Sequence, residues 1–141
     1  ACATLDAVFV PVNFRARAEE LTFMLNDSGT KALIAGQRYH DMINTIRPEL
    51  TSIEQVIGLE QGGEGIHSFD DLIANASNDE KFPEYQEDDL SIIMFTAGTT
   101  GTPKGVMLSH GSFTSYILAN VDPVDMESEE KILKKELPFF N

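Results

Sequence analysis

Cysteine is nearly missing from this 141-residue chain: Cys2 stands alone, and tryptophan is absent altogether. A single thiol cannot close an internal disulfide, so the chain does not read as a small secreted scaffold, and a reducing cytoplasm is the expected compartment. Basic residues are scarce as well, with 10 Lys and Arg against 23 Asp and Glu for a net charge of -13. A field of that sign repels polyanions, which argues against a nucleic-acid surface or an anionic-membrane surface. Long apolar runs are lacking too. Ala1 to Val10 has no basic flank and meets Pro11 too soon for a spanning helix, so neither a transmembrane segment nor a secretory signal is expected. His40 and His67 are isolated from Cys2 and from each other, and without zinc spacing no protein metal site is expected.

What remains is 42% hydrophobic residues, enough in a chain of this length to bury one modest core. The chain opens on Ala1 rather than Met, which fits a trimmed piece of a longer protein. Ala7 to Val12 reads as a strand leading through a basic turn into a helix with Ala18, Leu21, Met24 and Leu25 on one face. Asn26 to Gly29 stop that helix. Lys31 to Ala35 reads as a buried strand, and Tyr39, Met42, Ile43 and Ile46 fall on one face of a second helix that Pro48 ends. Gln55 to Leu59 is a third strand, followed by a loop over Gln61 to Gly65 and a helix capped by Ser68, with Asp71 completing a partial capping box.

Strands alternating with helices predict an α/β fold, a layered parallel sheet with crossover helices. Residues 1–77 form this β/α half in our reading, 78–89 an acidic surface linker containing Pro83, and 90–141 a strand–phosphate loop–strand unit. In that unit Leu90 to Phe95 and Val106 to Leu108 are short strands, and Ser109 caps a helix running towards Asn120. Asp88, Asp89 and His110 are candidate acid/base groups, but a doubled Asp on a polar linker and a loop-end His are more often solvated or structural. Glu127 with Lys131 and Glu130 with Lys134 stand at i,i+4 and read as an exposed helix turn.

The loop from Thr96 to Gly105 carries the chemistry. Gly98, Gly101 and Gly105 let peptide N–H groups approach an anion closely, and Thr96, Thr99, Thr100 and Thr102 add hydroxyl donors. Between Leu90 and Val121 the only formally charged side chain is Lys104, so one stretch of a strongly acidic chain is clear of carboxylates and holds one cation. Pro103 before Lys104 and Gly105 after it exclude a Walker A loop. A loop between two strands can instead close over a polyphosphate as a flap. Composition alone leaves a surface turn as the alternative.

Met94 to His110 (MFTAGTTGTPKGVMLSH) resembles the phosphate-loop signature of the adenylate-forming, AMP-binding superfamily. Ala1 to Asn13, Glu19 to Ser28 and Leu137 to Phe140 resemble the flanking segments of its acyl-CoA synthetases, notably those for long-chain fatty acids. The resemblance implies part of an acyl-CoA synthetase-like N-terminal domain, from an enzyme that activates a carboxylic acid with ATP and passes it to CoA. It implies that Thr96, Ala97, Gly98, Thr99, Thr100, Gly101, Thr102 and Lys104 hold ATP, with Mg²⁺ sharing the charge, and that Lys104 and Thr99 act on the departing pyrophosphate. The family's later motifs do not appear, so the segment alone is expected to be inactive and to have the remainder of its parent enzyme as partner. A non-catalytic nucleotide-binding or interaction module that keeps the loop is the alternative, and exposed apolar ends make self-association an open question. Ala97 stands where the family often has Ser and Asp6 where it has Gly. Lys134 to Glu136 interrupt an apolar strand, and Asn141 replaces a His associated with the acyl pocket.

Overall fold

The computed structural model describes residues 2–79, 83–96 and 102–120. Helix α1 (Ala18–Asp27) begins where the Glu20 carboxylate accepts the Arg17 N–H at 2.9 Å, satisfying a backbone donor ahead of the first turn. Its apolar face is the one the 3.6-residue spacing marks, with Leu21, Met24 and Leu25 buried. Strand β1 (Ala32–Ala35) follows, then helix α2 (His40–Ile46) and strand β2 (Gln55–Gly58). Pro48 sits in a 3₁₀ turn, Arg47–Glu49, that closes α2. Asn26 ties this turn back to the end of α1, its amide donating to the Glu49 carbonyl and its oxygen accepting from the Thr51 N–H, both at 2.9 Å.

β1 and β2 run parallel, with Leu33 opposite Val56 and Ala35 opposite Gly58. The pleat sends those residues to the helix-covered face, whereas Ile34 on the other face is 53% exposed. Leu21, Leu25 and Ile46 form one buried cluster and Ile43, Val56 and Ile66 another, and Leu33 and Ile53 pack against both. The two clusters are therefore one continuous core between sheet and helices. Gly58 ends β2 because nothing larger fits: a Cβ there would lie 2.1 Å from the Gln61 carbonyl oxygen and 3.0 Å from the His40 ring.

A short third strand, β3 (His67–Ser68), pairs parallel to Ile57 and Gly58. No apolar run announces it, since a two-residue strand is set by its neighbour rather than by its own propensity. Ser68 then caps helix α3 (Phe69–Ala74), its hydroxyl accepting the Asp71 N–H at 3.2 Å.

Strand β4 (Leu90–Thr96) and strand β5 (Lys104–Ser109) form a separate antiparallel pair, and helix α4 (His110–Asn120) follows directly. Ser109 caps α4 through the Ser112 N–H at 3.3 Å. Phe23 on α1 meets Phe95 on β4 edge to face, ring centroids 6.5 Å apart, and so joins the layered half to the hairpin.

The expectation of a strand over Ala7 to Val12 needs correction. Only Phe9 pairs, and it pairs with β4: its N–H reaches the Ser91 carbonyl at 2.9 Å and its carbonyl accepts the Ile93 N–H at 3.0 Å. Pro11, without an N–H, supplies no donor at the next alternate position of that ladder. Leu25, 1% exposed, is the most enclosed side chain of α1. Leu25→Ala is expected to destabilise the fold by about 2–5 kcal/mol, measured as a lower denaturant midpoint at unchanged slope.

Candidate functional site

The antiparallel register decides where the loop's chemistry is presented. Phe95 stands opposite Gly105 and Thr96 opposite Lys104, so the last residue of β4 and the first of β5 close the mouth of the loop as a cross-strand pair. Directly opposed residues of an antiparallel pair project from the same face. The Thr96 hydroxyl and the Lys104 ammonium group therefore leave the hairpin on one side.

Both residues are exposed, and among the described residues Lys104 forms no ion pair. The Thr96 Oγ1 reaches the Lys104 carbonyl only at 3.4 Å, a long contact that leaves the hydroxyl available to a better acceptor. Thr102 is exposed beside them and Pro103 half-buried. Ala97, Gly98, Thr99, Thr100 and Gly101 lie outside the described residues. Of the sequence-derived set, the structure thus places Thr96, Thr102 and Lys104 at one end of the hairpin. A hydroxyl and an uncompensated cation side by side, in a stretch without carboxylates, form a donor set that fits a phosphate oxyanion.

Gly105 matters for packing as well as for the loop. The Phe95 ring lies across it, so that a Cβ on residue 105 would meet Phe95 ring carbons at 3.5 Å and the Ile93 Cγ2 at 3.1 Å. An aromatic ring laid over a glycine lets β4 and β5 stay in register right up to the Thr96–Lys104 pair.

Residues 1–140 match the family of AMP-binding enzymes. The chain belongs to that family. Among its AMP-binding relatives, the long-chain-fatty-acid–CoA ligase FadD13 of Mycobacterium tuberculosis is 35% identical over 142 residues, covering 99% of this chain and 27% of that protein. A feruloyl-CoA synthase of Amycolatopsis sp. is 31% identical over 135 residues, covering 94% of this chain and 24% of that enzyme. The inhibitor-bound crystal structure of the N-terminal domain of FACL13 from Mycobacterium tuberculosis superposes with a TM-score of 0.62 at 37% identity, covering 77% of this chain and 26% of that one. The chain therefore spans about a quarter of the length of these relatives.

His110 and Asp89 are held by local contacts rather than grouped with Lys104, and Asp88 is exposed. The His110 N–H donates to the Asp89 carbonyl at 3.1 Å, and the Asp89 carboxylate accepts the Gln86 N–H at 2.7 Å. Sequence reading missed that His110 stacks on Tyr85 and faces Asp6, since the three residues are far apart in the chain. Gly105→Val is expected to destabilise the hairpin by about 1–3 kcal/mol through overpacking against Ile93 and Phe95. Faster amide exchange confined to β4 and β5 would register that loss.

Proposed function

We propose that this chain is the phosphate-gripping part of an AMP-forming acyl-CoA ligase. The carboxylate of the acid attacks the α-phosphorus of ATP, pyrophosphate departs, and the thiol of CoA then takes the acyl group from the adenylate. Most of the catalysis in such a step is positioning and charge neutralisation. Thr96, Ala97, Gly98, Thr99, Thr100, Gly101, Thr102 and Lys104 bind the β- and γ-phosphates in this reading, and Lys104 with Thr99 steadies the leaving pyrophosphate. Mg²⁺, bound with the nucleotide, shares the charge.

The observation that carries the proposal is the Thr96–Lys104 pair, which sets on one face, at the mouth of a Gly/Thr-rich loop, a hydroxyl and an ammonium group that forms no ion pair among the described residues. An aliphatic or other apolar acid is the substrate class we favour, consistent with relatives named for long-chain fatty acids and for feruloyl-CoA. The acid pocket, the CoA site and the remaining catalytic groups belong to the rest of the parent enzyme. The reducing cytoplasm is the compartment we assign, on the single thiol of the chain. Among the described residues no helix is long and apolar enough to cross a membrane. Exposed Met107 and Leu118, 71% and 76% accessible, are the surfaces through which the isolated chain would self-associate.

Titration with ATP·Mg²⁺ and with pyrophosphate followed by calorimetry tests the reading. Both ligands are expected to bind, and Lys104→Ala is expected to weaken each roughly 10- to 100-fold, the loss of one charge-assisted contact. Equal affinity of Lys104→Ala and the unaltered chain for both ligands would remove the loop from the mechanism.

A further inference from the structure

Asp6, Tyr85 and His110 come from three distant segments and meet at the base of the hairpin, the end opposite the phosphate loop. His110 Nε2 lies 3.5 Å from the Asp6 Oδ1, with the two side chains 13% and 31% exposed. The imidazole stacks on the Tyr85 ring, centroids 4.5 Å apart and planes inclined by 27°. Its Nε2 is shielded from solvent yet makes no hydrogen bond, so imidazole and carboxylate stand within ion-pair range without a directed contact. The backbone reinforces the same junction: His110 N–H donates to the Asp89 carbonyl at 3.1 Å and Gly111 N–H to the Glu87 carbonyl at 2.8 Å.

Asp6 holds a left-handed backbone, φ 51° and ψ 38°, a conformation that costs an L-residue more than glycine. A side chain kept at such a position, with its carboxylate aimed at a histidine, has something to hold. The β4–β5 register is irregular between Leu90 and Ile92, immediately above this junction, and Ser91 within the irregularity accepts the Phe9 N–H. Slippage by one residue there would turn Lys104 to the opposite face of the hairpin.

We propose that His110 is a positioning residue: clasped between Asp6 and Tyr85, it fixes the register of β5 against β4 and so keeps Lys104 opposite Thr96. The Asp6 carboxylate and the Tyr85 ring hold the imidazole from two sides. The other ionisable groups at the junction are Tyr85, Glu87 and Asp89. Asp89 directs its carboxylate to the Gln86 N–H, and Glu87 contributes its backbone carbonyl to Gly111. Asp6 is therefore the carboxylate in ion-pair range of the ring.

The test measures amide-exchange protection of β5, ATP·Mg²⁺ affinity and global unfolding in the full chain. Asp6→Asn, Asp6→Gly and His110→Gln are compared with the unaltered protein. In each variant β5 protection is expected to fall by roughly 3- to 10-fold and affinity for ATP·Mg²⁺ to weaken in parallel. Asp6→Gly separates positioning from bulk stability: glycine accepts the left-handed backbone, so global unfolding stays at or above the unaltered value while β5 protection is lost. Protection of β5 that survives unchanged in Asp6→Asn or His110→Gln would overturn the clasp, as would protection that merely follows global stability across the set. This inference rests on the ligase reading only for the affinity arm. A chain that binds no ATP would sink that reading, while β5 exchange would still decide the clasp.

Discussion

The pairing of β4 with β5 is the constraint on which the site depends, since the register alone brings Thr96 and Lys104 to one face. A two-stranded antiparallel pair is marginal by itself and needs packing from elsewhere. Here it is supplied from two directions. Phe23 on α1 presses its ring against Phe95, and Phe9 hydrogen-bonds along the outer edge of β4. The layered core that orients α1 therefore also orients the hairpin. The depth of Leu25 beneath β1 and the aim of Lys104 belong to one chain of contacts.

In the proposed phosphate-binding role, electrostatics gives the loop its selectivity by subtraction. A chain with 23 carboxylates and 10 basic side chains repels an approaching polyanion at long range. No carboxylate stands in the sequence from Leu90 to Val121, and among the described residues Lys104 forms no ion pair, so its charge acts within the roughly 8–10 Å screening length of physiological salt. In the proposed role this stretch favours a phosphate that has already come within reach and offers little to a nucleic acid passing at a distance. In that proposed role the threonine hydroxyls add donors without adding net charge.

Much of this was legible in the sequence wherever the signal was periodic. Leu21, Met24 and Leu25 mark the buried face of α1 by spacing alone, and Ile43 and Ile46 do so for α2. Strands β1 and β2 announce themselves as apolar runs. Strand β5 was legible only at its centre, Val106 to Leu108, because Lys104 and Gly105 have no strand propensity of their own and are paired by β4. Ala7 to Val12 misled for the same reason in reverse: its composition is that of a strand, but its partner lies more than eighty residues away and Pro11 limits the pairing to Phe9. Residues Ala97 to Gly101, which carry most of the phosphate-loop signature, stand on sequence likeness. The described structure contributes the frame on either side of them.

Asp6 shows how a local departure from family pattern can be weighed physically. The resemblance calls for glycine there, and the backbone agrees, for φ is 51°. An aspartate at such a site gives up part of the ease with which glycine would turn, a cost of about 1 kcal/mol. Its carboxylate stands 3.5 Å from a histidine mostly withdrawn from water and stacked on an aromatic ring. The same substitution that strains the turn also reaches across to the residue following β5. A glycine would leave the turn comfortable and the end of the hairpin unclasped, so in the proposed clasp the aspartate exchanges local ease for a second tie, beside Phe9, between the start of the chain and the hairpin.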